Sequence, residues 1–332
     1  MTDDHLLSAE NLSKAFSVSA GPFSPRRELR AVSDVTFGIA PGETLGLAGE
    51  SGCGKSTVGK LLMGLIPPDA GTIRFNGRAV AHMTRDERQS FRKDVQMIFQ
   101  DPFSSLNPRM RVADIVGEAL DIHGLAPRGG RRARTLELLD MVGLQAGHAD
   151  RYPHEFSGGQ RQRIGIARAI AVSPRVIVAD EPVSALDLSI QAQIINLLQQ
   201  LKRDLGLSYL FIAHDLSVVR HLSDRVAVMY LGKIVEIGTR DAVFSRFQHP
   251  YTEALLSAVP RVKAGSSRKR IILAGDPPSP ITPPPACPFH PRCPYVETIC
   301  RSEIPPLEEK EPGHLAACHL SKKLFGMPAP FS

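Results

Sequence analysis

The 332-residue chain carries 40 Lys and Arg against 34 Asp and Glu, a formal net charge of +6, with 42% hydrophobic and 22% charged residues. This is the make-up of a folded globular chain with enough core for about two domains, and it excludes a disordered or fibrous protein. The positive excess is too mild to mark a nucleic-acid binder, and its local knots, Arg128 to Arg134 and Arg268 to Arg270, read as solvated faces.

No apolar run approaches the roughly 18 residues that span a bilayer, and the polar start Met1 to His5 does not resemble a secretory signal. The chain is therefore expected in the cytoplasm, with any membrane role exercised through partners.

From Leu6 to about Ala258, short β-branched or apolar runs alternate with longer helical patterns, which predicts an α/β domain with a largely parallel sheet. Thr44 to Ala48 reads as a strand and Thr57 to Leu65 as the start of a helix. Between them stands Gly49-Glu50-Ser51-Gly52-Cys53-Gly54-Lys55-Ser56, which fits G-x-x-x-x-G-K-S/T. A glycine-rich turn could merely connect the two elements, but strand, loop and helix in this order are the context that a phosphate-binding loop requires. Glycines let backbone amides turn inward on phosphate oxygens, and the helix N-terminus adds a favourable dipole. Lys55 is expected to place its charge at the β- and γ-phosphates of ATP and Ser56 to offer a hydroxyl to Mg²⁺, with Thr57 the last of the residues offered to the nucleotide. Cys53 sits at a permissive position and is given no chemistry of its own.

Val95 to Phe99, Val176 to Ala179 and Tyr209 to Ala213 read as strands buried on both faces. The second of them ends in Asp180 and Glu181, at the sheet edge where parallel α/β proteins bind ligands. Alone, these acids could be a helix cap before Pro182. Beside a phosphate loop they suit other work, Asp180 in the Mg²⁺ shell and Glu181 polarising the attacking water. Apolar residues at helical spacing predict an amphipathic helix over Gln191 to Asp204.

Phe156-Ser157-Gly158-Gly159-Gln160-Arg161-Gln162-Arg163, shortly before the acidic strand, resembles the signature segment of ATP-binding cassette (ABC) proteins, with Phe156 where Leu is usual. Gln100 in Met97 to Pro102, Ser184 to Asp187 and His214 in Phe211 to Asp215 follow the cassette order. The resemblance implies an ABC-type P-loop NTPase with a RecA-like core, an antiparallel β subdomain and an α-helical subdomain at about residues 102–165. It implies that Gln100 senses Mg²⁺ and the attacking water, that His214 contacts the γ-phosphate, and that Phe16 stacks on adenine. An insertion-like stretch from Gly21 to Arg27 loosens the alignment at Phe16. It also implies that Ser157, Gly158, Gly159 and Gln160 complete the nucleotide site of a partner cassette, so that ATP closes a dimer.

Longer stretches, Gln100 to Arg109, Tyr152 to Phe156 and His249 to Pro260, together with the tail, resemble the ATPase subunits of bacterial oligopeptide and dipeptide importers. That family pairs two related ATPases, as a heterodimer or here alternatively a homodimer, beneath two transmembrane permease subunits. An external solute-binding protein delivers the cargo, and the ATPase lies at the cytoplasmic face of the membrane. Nickel, glutathione or another small solute is the alternative cargo, and a soluble non-transport cassette ATPase the alternative role.

After Pro260 the texture turns Pro-rich. Residues 261–286 read as a linker and 287–332 as a small module holding Cys287, Cys293, Cys300 and Cys318. In a reducing compartment such clustering suggests metal before disulfide. Four thiolates suit tetrahedral zinc or an iron–sulfur cluster, and unligated thiols also fit. Similar tails in peptide-importer ATPases imply a 4Fe-4S centre, with zinc the alternative.

Overall fold

The computed structural model describes residues 5–19, 26–126, 129–258, 271–273 and 275–326. The expected insertion at Gly21, the first part of the expected linker, the basic knot at Arg268 and the end of the tail therefore lie wholly or partly outside the described residues. Strands run over β1 Leu7–Val18, β2 Arg27–Ile39, β3 Thr44–Ala48, β4 Ala70–Phe75, β5 Arg78–Ala79, β6 Val95–Ile98, β7 Val176–Asp180, β8 Ser208–Ala213, β9 Arg225–Tyr230, β10 Lys233–Thr239, β11 Glu308–Glu311 and β12 His314–Ala316. The helices that bear on function are α1 Lys55–Leu62, α2 Arg85–Asp94, α3 Pro102–Ser105, α4 Val112–Ile122, α5 Arg131–Met141, α6 Gly158–Ile170, α7 Leu188–Leu205, α8 Leu216–Leu222, α9 Arg240–Ser245 and α10 Pro250–Ser257. No helix among the described residues is long and apolar enough to cross a membrane. The chain divides into two compact units, residues 1–7, 39–43 and 74–212 forming the first and residues 8–38, 44–73 and 213–332 the second.

In the first unit β6, β7 and β8 are parallel neighbours, with Val95 opposite Val176 and Val176 opposite Ser208. Every residue of β7 and β8 is buried, the condition that their unbroken apolar runs anticipate. Helix α7 buries Ile194, Ile195, Leu197, Leu198 and Leu201, the stripe expected from their spacing. It begins at Leu188, earlier than the apolar pattern suggests, because the Asp187 carboxylate accepts the amides of Ser189 and Ile190 at 3.1 and 3.0 Å and supplies an N-cap. The helical stretch expected over 102–165 holds α3 to α6, and α6 continues to Ile170 because Ile164, Ile166 and Ile170 are all buried. In the described part of the basic knot, Arg131 pairs with Asp114 and Asp121, Arg132 with Asp150, and Arg134 with Glu137.

In the second unit β3 runs parallel to β9, and β9, β10, β12 and β11 follow as antiparallel neighbours. The strands β2, β1 and β4 lie side by side in a second sheet. The tail expected as an appended module thus also extends the sheet, Ala316 lying opposite Glu236 and Leu315 opposite Ile237. The Pro-rich texture of its approach concealed these short strands.

The seam is polar and buried. Glu236 and His314 are 0% and 1% exposed, with His314 Nε2 2.7 Å from Glu236 Oε1. The Gln248 amide donates to the same oxygen at 2.7 Å, and the Ser321 hydroxyl donates to Gln248 Oε1 at 2.6 Å. Gly238 leaves room for the imidazole, since a methyl there would lie 2.8 Å from His314 Cδ2.

His249, 2% exposed, caps α10 by accepting the Tyr251 amide on Nδ1 at 3.0 Å. Burial pulls its pKa from the ordinary 6.5 to about 3, against an opposing hydrogen bond with the Ala317 backbone. The folded value lies below the unfolded one, so between about pH 6.5 and 3 the unfolded chain binds the additional proton. Stability is therefore fully present above pH 6.5 and is lost as pH falls, by up to about 1.4 kcal/mol per pH unit. Denaturation midpoints taken at pH 7 and pH 5 should fall more steeply for the wild type than for His249→Asn, which keeps a capping oxygen; equal slopes would acquit His249.

Candidate functional site

The 49–56 loop joins β3 to α1 in the second unit, as the sequence predicts, although α1 already begins at Lys55 and ends at Leu62. Gly49 and Gly54 have φ of 154° and 109°, and a methyl on them would meet the carbonyl oxygens of Met229 at 2.2 Å and Ala31 at 2.1 Å. Only glycine fits where the backbone turns this close to its neighbours. Lys55 is 4% exposed, and its ammonium donates to the carbonyls of Gly49 at 2.8 Å and Glu50 at 2.9 Å. Ser51 and Gly52 are exposed at the turn, while Ser56 and Thr57 are half-buried in the first turn of α1. Cys53 is buried, and desolvation raises its pKa, so it is a poor thiolate.

Phe16, on β1 in the same unit, is 37% exposed, with the Lys14 ammonium 5.8 Å from its ring centroid. It is an available ring rather than a core aromatic. His214 follows β8 and is exposed, just before Asp215, whose carboxylate accepts the Ser217 amide at 2.8 Å and caps α8.

The first unit carries Gln100, Asp180 and Glu181. Asp180, the last residue of β7, is 4% exposed. Glu181 leaves the strand with φ of 44°, a left-handed conformation that is costly for a side chain with a Cβ and recurs at functional sites. Its amide donates to the Ile212 carbonyl at 3.0 Å, and the Gln100 amide nitrogen donates to its Oε2 at 3.1 Å. Two residues far apart in the chain are thereby brought together. Neither acid caps a helix before Pro182, the alternative that local pattern offered; Asp187 is the cap that follows.

The 157–160 segment opens α6 in this unit. Ser157 Oγ accepts the Gln160 amide at 3.4 Å while Gln160 Oε1 accepts the Ser157 amide at 3.1 Å, a reciprocal capping box. Gly158 is half-buried, and Gly159 must lack a side chain because a methyl would sit 2.5 Å from Ile190 Cγ2.

In the second unit's tail, Cys287, Cys300 and Cys318 are buried, Cys293 is half-buried, and none is in a disulfide. They share a neighbourhood: burial first, then the charges of the other three, pushes Cys318 up to about 12, and burial pushes Cys293 to about 11. As the side chains stand, no three His, Cys, Asp or Glu among the described residues converge into a metal-holding group.

Sequence reasoning missed the partners of Glu50. Its carboxylate is forked by Arg292, Nη1 to Oε2 at 2.8 Å and Nη2 to Oε1 at 3.1 Å, and its amide donates to Tyr251 Oη at 2.8 Å. No local pattern announces a pairing across 242 residues.

A glycine loop around a buried lysine, a strand ending in an acid and the helix-opening Ser-Gly-Gly-Gln segment define an ABC transporter ATPase. The description "ABC transporter" matches residues 32–184, and "Oligopeptide/dipeptide transporter, C-terminal region" matches residues 235–300. The chain is 50% identical to the oligopeptide transport ATP-binding protein AppF of Bacillus subtilis, over 95% of this chain and 97% of that protein. It is 48% identical to a probable peptide ABC transporter ATP-binding protein of Sinorhizobium fredii, over 96% of this chain and 90% of the relative. The ATP-binding cassette MJ0796, solved as a post-hydrolysis dimer with ADP and Pi, superposes with a TM-score of 0.62 at 29% identity, covering 70% of this chain and 98% of that one. The chain belongs to the oligopeptide/dipeptide branch of the ABC transporter ATP-binding subunits.

Replacing Gly54 by Ala should cost more than about 2 kcal/mol, from the left-handed backbone and the close Ala31 carbonyl together. Urea denaturation would measure it, and a loss under about 0.5 kcal/mol would mean that the loop relaxes freely.

Proposed function

We propose that this chain is the ATP-hydrolysing subunit that drives import of oligopeptides or dipeptides through a membrane permease. The observation that carries the reading is that likeness to peptide-transport ATPases runs through the cassette and the tail alike, over 95% of the chain for AppF.

ATP is held by the amides of residues 49–57 with Lys55 at its β- and γ-phosphates, Phe16 against adenine and His214 toward the γ-phosphate. Asp180, a buried carboxylate at a strand end, suits a hard cation; Asp180, Gln100 and Ser56 are the residues that would hold Mg²⁺, which would supply charge neutralisation to the phosphates. Glu181, held by Gln100, orients and polarises the attacking water. Ser157 to Gln160 present a helix N-terminus to the nucleotide of a second cassette, an arrangement suited to anions. ATP then closes the pair, and loss of the γ-phosphate opens it. The partner is a related but different ATPase or a second copy. The working assembly adds two permease subunits and an external binding protein, and sits at the inner face of the membrane.

Glu181→Gln should bind MgATP, accumulate as a dimer in size-exclusion chromatography and lose about a hundredfold or more in turnover. Turnover near the wild-type rate would remove Glu181 from this role.

The tail's four free thiols match in number and type the donor set of a 4Fe-4S centre, of which Cys287, Cys293, Cys300 and Cys318 would be the ligands. Such a group would supply the cross-link that a short Pro-rich segment needs to hold its fold. Protein purified without oxygen should contain iron and acid-labile sulfide in about equal amounts; stoichiometric zinc would instead assign a tetrahedral zinc site.

A further inference from the structure

Glu50, the second residue of the phosphate loop, has each of its polar groups fastened. Its carbonyl accepts Lys55 Nζ at 2.9 Å and the Cys53 amide at 3.3 Å. Its amide is tied to the Tyr251 hydroxyl at 2.8 Å, and its carboxylate to both Arg292 nitrogens. The Arg292 side chain is only 7% exposed and the Glu50 side chain 29%, so the fork is sheltered from solvent on the arginine side.

Tyr251 is 0% exposed and is wedged between Tyr230, at 4.7 Å between ring centroids, and Phe289, at 5.5 Å. Phe289, itself 1% exposed, lies 5.2 Å from Tyr230 in an edge-on contact. Phe289 and Arg292 both come from the Cys287-Pro288-Phe289-His290-Pro291-Arg292-Cys293 segment. One short piece of the tail therefore reaches the loop twice, through the ion pair and through the ring that holds the Glu50 amide.

We infer that Arg292 is a positioning residue for nucleotide binding: it neutralises and orients Glu50, so that the phosphate loop is competent for a polyphosphate only when the 287–293 segment is in place. The physical need is plain. A carboxylate inside a loop that must receive negatively charged phosphates opposes binding unless a cation offsets it. A bidentate guanidinium does so while also fixing the side chain's direction, which a lysine's point charge cannot do. Because Tyr251 on α10 and Arg292 in the tail hold opposite ends of the same residue, the loop's turn after β3 is set from α10 and the tail together.

The inference rests on residues 49–57 being the nucleotide loop, and its test separates the two. Binding of MgADP and MgATP to the full-length chain is measured by isothermal titration for the wild type, Arg292→Ala, Arg292→Lys and the double variant Glu50→Gln/Arg292→Ala, with melting midpoints recorded alongside. Arg292→Ala should weaken both nucleotides by about tenfold, the loss expected of a charge-assisted pair. Arg292→Lys should recover part of the affinity, and adding Glu50→Gln to the alanine variant should recover part as well, because it removes the uncompensated charge. A purely structural role would lower the melting midpoint in both alanine-bearing variants without that recovery. If the wild type itself binds no nucleotide, the reading of the loop fails. If the wild type binds and Arg292→Ala stays within twofold of it, or the double variant is no tighter than the single one, Arg292 has no part in positioning the loop.

Discussion

A lysine ammonium with 4% exposure must have its charge met by nearby oxygens, and Lys55 finds them in the carbonyls of Gly49 and Glu50, residues of its own loop. That requirement bends the loop back on itself. It is also why Gly49 and Gly54 accept positive φ and why the carbonyls of Met229 and Ala31 crowd so close to them. The loop's curvature follows from keeping one cation deep and satisfied, while Tyr251 and Arg292 fix the attitude of Glu50. The surrounding core of β3 and β9, buried along nearly all its length, supplies the rigidity against which the loop is bent.

Much of this was legible in the residues alone. The bounds of β3 coincide with the expected Thr44 to Ala48, because a strand buried along its whole length shows in the sequence as a run free of charged residues. The acidic strand extends one residue beyond the expected Ala179, since Asp180 still pairs with Ile212. Helix ends were less legible, because side-chain hydrogen bonds rather than apolar spacing decide them; Asp187 is the example. The chemical pairing of Gln100 with Glu181 could be anticipated only as a family likeness, since nothing local joins two positions 81 residues apart.

What could not be read was the tail's attachment. Proline content suggested a linker followed by a small appended module; the strands of that tail also complete hydrogen bonding on β10, and its histidine is sealed against Glu236. A buried ion pair or hydrogen-bonded pair of this kind contributes little net stability, but losing one partner strands the other, so it specifies register more than it strengthens the fold. Four cysteines drew attention to metal and away from the arginine and phenylalanine between them, which make the long-range contacts. The residues most easily noticed in a sequence are those with distinctive chemistry, and a common Arg carries no such mark.

The pairing of β12 with β10 also has a consequence in time. During synthesis β10 emerges with one side covered by β9 and the other bare, and its cover lies beyond a long Pro-rich stretch. At ribosomal rates of about 5–20 residues per second, the edge stays open for roughly 4 to 15 s before His314 to Ala316 can reach it. For that interval the nascent chain offers an apolar strand, Ile234 to Ile237, interrupted only by Glu236, to any neighbour able to add a strand. In that interval Glu236, buried in the finished fold, stands on the open edge, where a charged side chain disfavours pairing with other chains.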